Sequence, residues 1–250
     1  MGAVAAPVDV LCGIVSIHLA ARIQSATSVP GIVTFDAQRP RSDATFVRYP
    51  ATMKSAINSG DVALVQIVDA ALVEAAQKSG PWLVCRLGCT QCCMGPFAIT
   101  QLDARRLQRG LAELELHDPL RATRVRQRAR EAVARLSHDF PGDPATGLLD
   151  ENEFPDSMDE YPCPALDPET GACDLYAARP ITCRTFGPPV RCGSDSVGVC
   201  ELCFQGASDA EIAACEVESD PDGLEFRLLK ELEQMTGARG ETIVAFALVP

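Results

Sequence analysis

Four thiols crowd into nine residues where the chain reads Cys85-Arg-Leu-Gly-Cys89-Thr-Gln-Cys92-Cys93. Thiolates are anionic, polarisable and soft, so a cluster of them suits zinc, copper(I) or an iron–sulfur centre. Two or three residues between ligands let a tight turn aim both sulfurs at one point. Gly88 and Gly95 supply the permissive backbone such turns use. Adjacent side chains of an extended segment point to opposite faces. Cys92 and Cys93 are therefore expected to diverge, and distal cysteines must complete the site.

A second block supplies them: Cys163, Cys173 and Cys183, with nine residues in each interval. That is too long for a local knuckle but suits loops folding back onto the first cluster, giving one site that bridges both blocks. Arg86, Arg179, Arg184 and Arg191 stand beside the cysteines and could offset thiolate charge by donating to sulfur. Tyr176 fits an aromatic lid over the site. Further on, Cys200-Glu-Leu-Cys203 has ligand spacing and, with Cys192 and one core cysteine, makes a candidate second centre. Cys215, on an expected helix, reads as a buried free thiol, and Cys12 is isolated.

Together the two blocks resemble the YkgJ-like cysteine-cluster proteins, zinc- or iron-chelating domains with a CxxCxxCC signature. That pattern continues with C-x-x-L, G-x-C-x-[IL]-Y and R-P-x-x-C-R-x-[FY]. Here the first cluster is followed by Cys163 and Leu166, then Gly171, Cys173, Leu175 and Tyr176, then Arg179, Pro180, Cys183, Arg184 and Phe186. The departure is one extra residue between Cys85 and Cys89. The resemblance covers Cys85 to Phe186 and implies metal binding, with no reaction attached.

Several chemistries compete for such thiols. Cys85-x3-Cys89-x2-Cys92 has the spacing of enzymes that run radical chemistry on S-adenosylmethionine. However, Gln91 stands where those carry an aromatic residue, and no alternating strand–helix series follows. A secreted disulfide scaffold would need vicinal and CxxC cysteines to make strained pairs. A structural zinc module uses closed four-thiolate sites, and a metal-handling protein needs accessible ones. The residues favour an iron–sulfur centre or iron, with zinc as the alternative and a redox partner protein implied if electrons move. No nucleophile triad, phosphate loop or paired carboxylates stand out, so no reaction is assigned. His117 and His138 are expected at the surface.

The 250 residues carry 12 cysteines and a formal net charge of -12. Phosphate binding normally wants surplus Lys and Arg, so nucleic acid is not the expected partner. The apolar run from Val62 to Ala76 is interrupted by Asp69, so no membrane association is expected, and Val8 to Leu19 lacks the basic flank of a secretory signal. The expected location is cytoplasmic. Residues 1–52 contain no Glu or Lys, and four Arg against three Asp give them +1, leaving -13 for the rest. They read as a flexible or non-native leader before Met53, with one cysteine-cluster domain over 53–250.

The elements that must hold the site are helical. The patterns predict helices over 61–78 with Asp61 as N-cap, over 100–114 opened by a Thr100/Asp103 capping box, and from Asp118-Pro119 to about His138. A Ser208/Glu211 box opens another, Asp220-Pro221 leads into one that runs through Met235, and 241–249 leans to helix. In the third, Arg121, Arg124, Arg128 and Arg135 form a stripe read as a solvated face. Residues 141–162 read as an acidic linker. The expected fold is mainly α, a small helical domain with irregular cysteine-bearing loops organised around a metal centre.

Overall fold

The structure is a computed structural model and describes residues 51–249, apart from Leu87, Glu151, Asn152, Gly193 and Ser194. Nearly all of the expected leader, with Cys12, lies outside the described residues, as do the side chains of 51–54 and 192–197.

Capping residues open α2 (Gln101–His117) and α3 (Pro119–Leu136) where expected. Thr100 and Asp103 exchange both bonds of a capping box, and the Asp118 carboxylate accepts from the Arg121 amide. The Ser208/Glu211 box likewise opens α5 (Asp209–Cys215). The next helix, α6 (Leu224–Thr236), ends at Gly237 in the left-handed conformation. Its start is held by Asp220, whose carboxylate accepts from the Leu224 and Glu225 amides.

The first helix corrects the sequence-based boundary. It runs from Ala51 to Ser79 (α1), so Asp61 is not a cap. Asp61 is instead an interior anion, 1% exposed, paired with Arg106 and Arg109 of α2. Ser55–Trp82 is long and apolar enough to cross a membrane by length and composition. Here its Leu64 and Val68 pack against Ile181, Leu228 and Leu232. Leu107, Leu111, Ala122 and Val125 are likewise buried in one cluster, joining α2 to α3 through apolar side chains at helical spacing.

Strands are few and short. β1 (Ile99–Thr100) pairs antiparallel with β7 (Glu241–Thr242), after which α7 (Val244–Ala247) returns the chain to the core. The segment read as a linker is folded: β2 (Gly142–Asp143) and β3 (Leu148–Leu149) form a hairpin, and Phe140 and Met158 pack with Ile243. Those apolar residues outweigh the surrounding acids. β4 (Val190–Cys192) lies between β5 (Asp195–Val197) and β6 (Val217–Glu218). Cys183 stands on a short helix, α4 (Ile181–Thr185), within a stretch read as irregular. Among the described residues the chain is mainly α.

Candidate metal centre

Cys92 and Cys93 do not diverge. They lie in a 3-10 turn, Gln91–Cys93, closed by Cys93 N–H to Thr90 O at 2.8 Å. A tight turn brings consecutive side chains together where an extended segment would part them, and the two thiols hydrogen-bond each other. After the turn the chain extends, and Met94 pairs antiparallel with Pro162. Cys163 N–H donates to Cys93 O at 2.7 Å, and Gly95 N–H to Tyr161 O at 2.9 Å. These bonds stitch the two cysteine blocks together.

From there a loop folds back on itself. Leu166 N–H donates to Cys163 O, Asp174 N–H donates to Ala165 O at 2.7 Å, and Leu166 bridges Cys173. Cys183 arrives on α4, whose first amide, Ile181 N–H, donates to Asp103 of α2 at 3.0 Å. Cys92, Cys93, Cys163, Cys173 and Cys183 thereby form one group. Burial pushes the Cys163 thiol up to about 12, with Cys173 and Cys92 adding to it. It also holds Cys183 well above the usual thiol range, with Cys163, Cys92 and Cys173 acting in the same direction. Cys92 goes the other way. Its bond with Cys93 and the charge of Arg179 bring it down to about 6, against burial.

Arg179 is the cation of this group. Its guanidinium lies 4.1 Å from the ring centre of Tyr176, which stays exposed as an outer cover. Its charge favours the thiolate at both Cys92 and Cys173. Its Nε is buried without a hydrogen-bond partner. A sealed N–H with no acceptor is costly, and beside a set of thiols it fits an anionic sulfur group. Arg184 differs from expectation: its Nε, Nη1 and Nη2 donate to Arg179 O, Asp69 and Ala177 O. It braces the turn that carries Arg179. Arg86 is exposed, and Arg191 pairs with Glu216.

The remaining cysteines gather elsewhere. Cys85 lies against Cys203 of the third cysteine run, and the turn that carries Cys89 packs beside Gly171. Cys89 N–H donates to Arg86 O at 3.0 Å across Gly88, whose φ is +84°. Cys203 N–H donates to Cys200 O at 2.8 Å, and Cys200 N–H to Gly187 O. Cys85 Sγ and Cys203 Sγ are 4.0 Å apart. Burial raises Cys85 to about 12, followed by Cys203 and, more weakly, Cys89 and Cys200. Gln91 Nε2 donates to Glu201 Oε1 at 2.7 Å, tying the two knuckles at the surface. Of Cys192 only the backbone, in β4, is described.

Among the described residues, no three Cys, His, Asp or Glu side chains stand close enough to hold an ion as they are. Closing either group around a metal therefore requires rotation about the cysteine side chains. His117 and His138 are exposed, as expected.

Asp174 went unnoticed in the sequence. Its side chain, 1% exposed, takes Arg121 and Arg128 of α3, and Arg128 also donates to Pro164 O at 2.8 Å. Half of the stripe read as solvated thus clamps the Cys163–Cys173 loop, while Arg124 and Arg135 are exposed. The available signal was an acid directly after Cys173, opposite arginines seven residues apart on one helix.

Residues 84–201 match the model of the CxxCxxCC family, described as "Putative zinc- or iron-chelating domain". No curated protein and no solved structure matches the chain.

Proposed function

We propose that this chain is a cysteine-ligated metal-binding protein whose five-thiol group, Cys92, Cys93, Cys163, Cys173 and Cys183, holds iron as an iron–sulfur centre. The orphaned, buried Nε–H of Arg179 beside Cys92 and Cys173 carries this proposal. Hydrogen bonds to sulfur and a nearby cation are the means by which proteins set the potential of such centres. Five thiols also exceed the four that close a structural zinc site. The zinc- or iron-chelating description of the matched family agrees with the donor set.

Bound there, an iron–sulfur centre would supply one-electron transfer. The chain's own residues would prepare for it in three ways. Arg179 favours thiolate at Cys92 and Cys173 and offers its unpaired N–H to sulfur. Asp174, with Arg121 and Arg128, fixes the Cys163–Cys173 loop on α3. Tyr176 limits the water that reaches Arg179. The proposal includes a cytoplasmic location and a protein redox partner.

The same thiolates accept zinc, and the family description names both metals. Anaerobic purification with iron, zinc and sulfide analysis separates the two. Iron with acid-labile sulfide and broad sulfur-to-iron absorption is expected. Zinc without sulfide would replace the iron assignment, and neither metal with mapped disulfides would overturn both.

A further inference from the structure

Cys85, Cys89, Cys200 and Cys203 lie on two short turns at the end of α1, apart from the five-thiol group. We infer that they form a second, independent centre, a tetrathiolate for a zinc-class divalent ion. With the proposal above it shares only that cysteines of this chain bind metal; it needs no iron.

The geometry carries it. Four sulfurs at the corners of a tetrahedron, each about 2.3 Å from a zinc ion, are about 3.8 Å from one another. Cys85 Sγ and Cys203 Sγ are 4.0 Å apart. That separation is about twice a disulfide bond and close to a coordination edge. The other two cysteines belong to the same neighbourhood. Cys200 N–H donates to Gly187 O at 3.2 Å, and Gly187 itself borders Cys85 Sγ, while Gln91 Nε2, two residues after Cys89, donates to Glu201 Oε1. Cys200 and Cys203 are joined directly by Cys203 N–H to Cys200 O, and Cys89 is turned back toward Cys85 by its N–H bond to Arg86 O.

Backbone conformation supports this independently. Phe204, directly after Cys203, has φ 56°, and it is the one non-glycine residue with positive φ among the described residues. A side chain in the left-handed region persists where its surroundings over-determine it, often at ligand clamps. Here Phe204 N–H donates to Trp82 O at 2.9 Å, and the two rings stack with centroids 6.4 Å apart. The turn is thereby fastened to the end of α1, next to Cys85. Gly187 completes the cradle, since a Cβ there would sit 2.9 Å from Cys85 Sγ.

The surroundings are apolar on the Cys200–Cys203 side of the site. Cys200 and Cys203 are buried with Phe204 and Cys215, against Trp82, Leu83, Phe186 and Ile212. Cys89 is half-buried and Cys85 exposed, so apolar side chains cover two of the four sulfurs and the other two face outward. Cys203 also lies beyond residues 84–201 of the family match. The centre would therefore fasten the α1 end of the matched domain to the chain that follows it.

Metal content of the full-length chain tests this, with iron, zinc and sulfide measured in each variant. Cys203→Ser should lose one zinc per chain with iron and sulfide unchanged. Cys203→His, which restores a ligand, should regain it. Cys215→Ser should keep every metal, because that thiol donates to Lys78 O at 3.4 Å instead. A Cys203→Ser chain that keeps its zinc, or loses iron along with it, overturns the inference, as does a mapped Cys85–Cys203 disulfide. If wild type holds zinc only and Cys203→Ser lowers it by one, the iron proposal fails and the second centre stands. Should Cys203→Ser not fold, wild type decides. Zinc added to the stripped chain must protect Cys85, Cys89, Cys200 and Cys203 from alkylation as one set, and protection of any other set overturns the inference.

Discussion

The five-thiol group and the four-thiol group draw on one run of sequence, yet the fold builds them by different means. The first is assembled across long distances in the chain. Cys93 meets Cys163 through a backbone bond, Cys183 arrives on α4, and Asp174 locks the loop to two arginines of α3. The second is assembled from two short turns pressed onto aromatic rings at the end of α1. The first has Arg179 acting directly on Cys92 and Cys173, while Cys85 responds chiefly to burial and to other cysteines. Thiolates beside a cation with a spare N–H can be tuned, and thiolates carried on two facing turns can hold chain segments together. On the two proposals above, neighbours in sequence would take up separate tasks on either side of the turn at Gln91–Cys93.

The largest way to separate the groups is to remove the Asp174 clamp. Asp174→Ala leaves Arg121 and Arg128 without their shared partner. Breaking a buried pair costs about 3–5 kcal/mol, and the partial exposure of both arginines places the expected loss near the lower end, about 3 kcal/mol. Urea denaturation of the metal-loaded chain measures it. Iron and sulfide content should fall while zinc stays bound, and equal loss of both metals would mean that the groups are not separate.

A smaller effect, confined to the other group, is expected from Gly187→Ala. The φ of +126° and the Cys85 sulfur leave no room for a methyl group. The strain should cost about 1–3 kcal/mol, with weaker zinc retention in a chelator competition and unchanged iron. Unchanged zinc affinity would show that Cys85 is not held against Gly187 when metal is bound.

The pH dependence offers a change that should spare both groups. Burial, then the nearby charge of Asp103, raises Glu225 from 4.5 to about 8. Between those values the unfolded chain has released this proton and the folded chain still holds it. Stability from this residue is therefore complete below about 4.5 and is lost as pH rises through about 8. Glu225→Gln should flatten that fall in a melting series across the window, with metal content unaltered. An unchanged slope would remove Glu225 as its cause.

Smallest in stability, and specific to the five-thiol group, is Arg179→Lys. It keeps the charge but loses the Nε donor. With less hydrogen bonding to sulfur, the reduced and more negative state is less favoured, so the potential should shift downward. Voltammetry measures this, and an unmoved potential would mean that Nε does not reach the centre.

What the sequence disclosed follows the range of the forces involved. The capping boxes at Thr100 and Ser208 and the Asp118-Pro119 start of α3 are local devices, and they appear as predicted. The start of α1 was misplaced because Asp61 is a preferred N-cap type, and a glycine just before it does not argue for ten further helical residues. Gly60 instead admits Leu228, whose Cδ2 would lie 2.5 Å from a Cβ at that position. Only the packing of α6 on α1 explains it. Likewise the spacing of the two cysteine blocks suggested one site bridging them. The fold joins the blocks through the Cys163–Cys93 backbone bond, while among the described residues no three side chains stand close enough to hold an ion. That Cys85 lies against Cys203 goes with the Trp82–Phe204 contact, which no local pattern reveals.

X-ray absorption at the zinc and iron edges of one anaerobic wild-type sample tests most directly whether two thiolate centres coexist. The zinc edge should show four sulfurs at about 2.3 Å and nothing heavier beyond. The iron edge should show sulfur with a neighbouring iron, as in a cluster. Nitrogen or oxygen ligands around either metal, or one metal alone occupying both environments, would contradict the account.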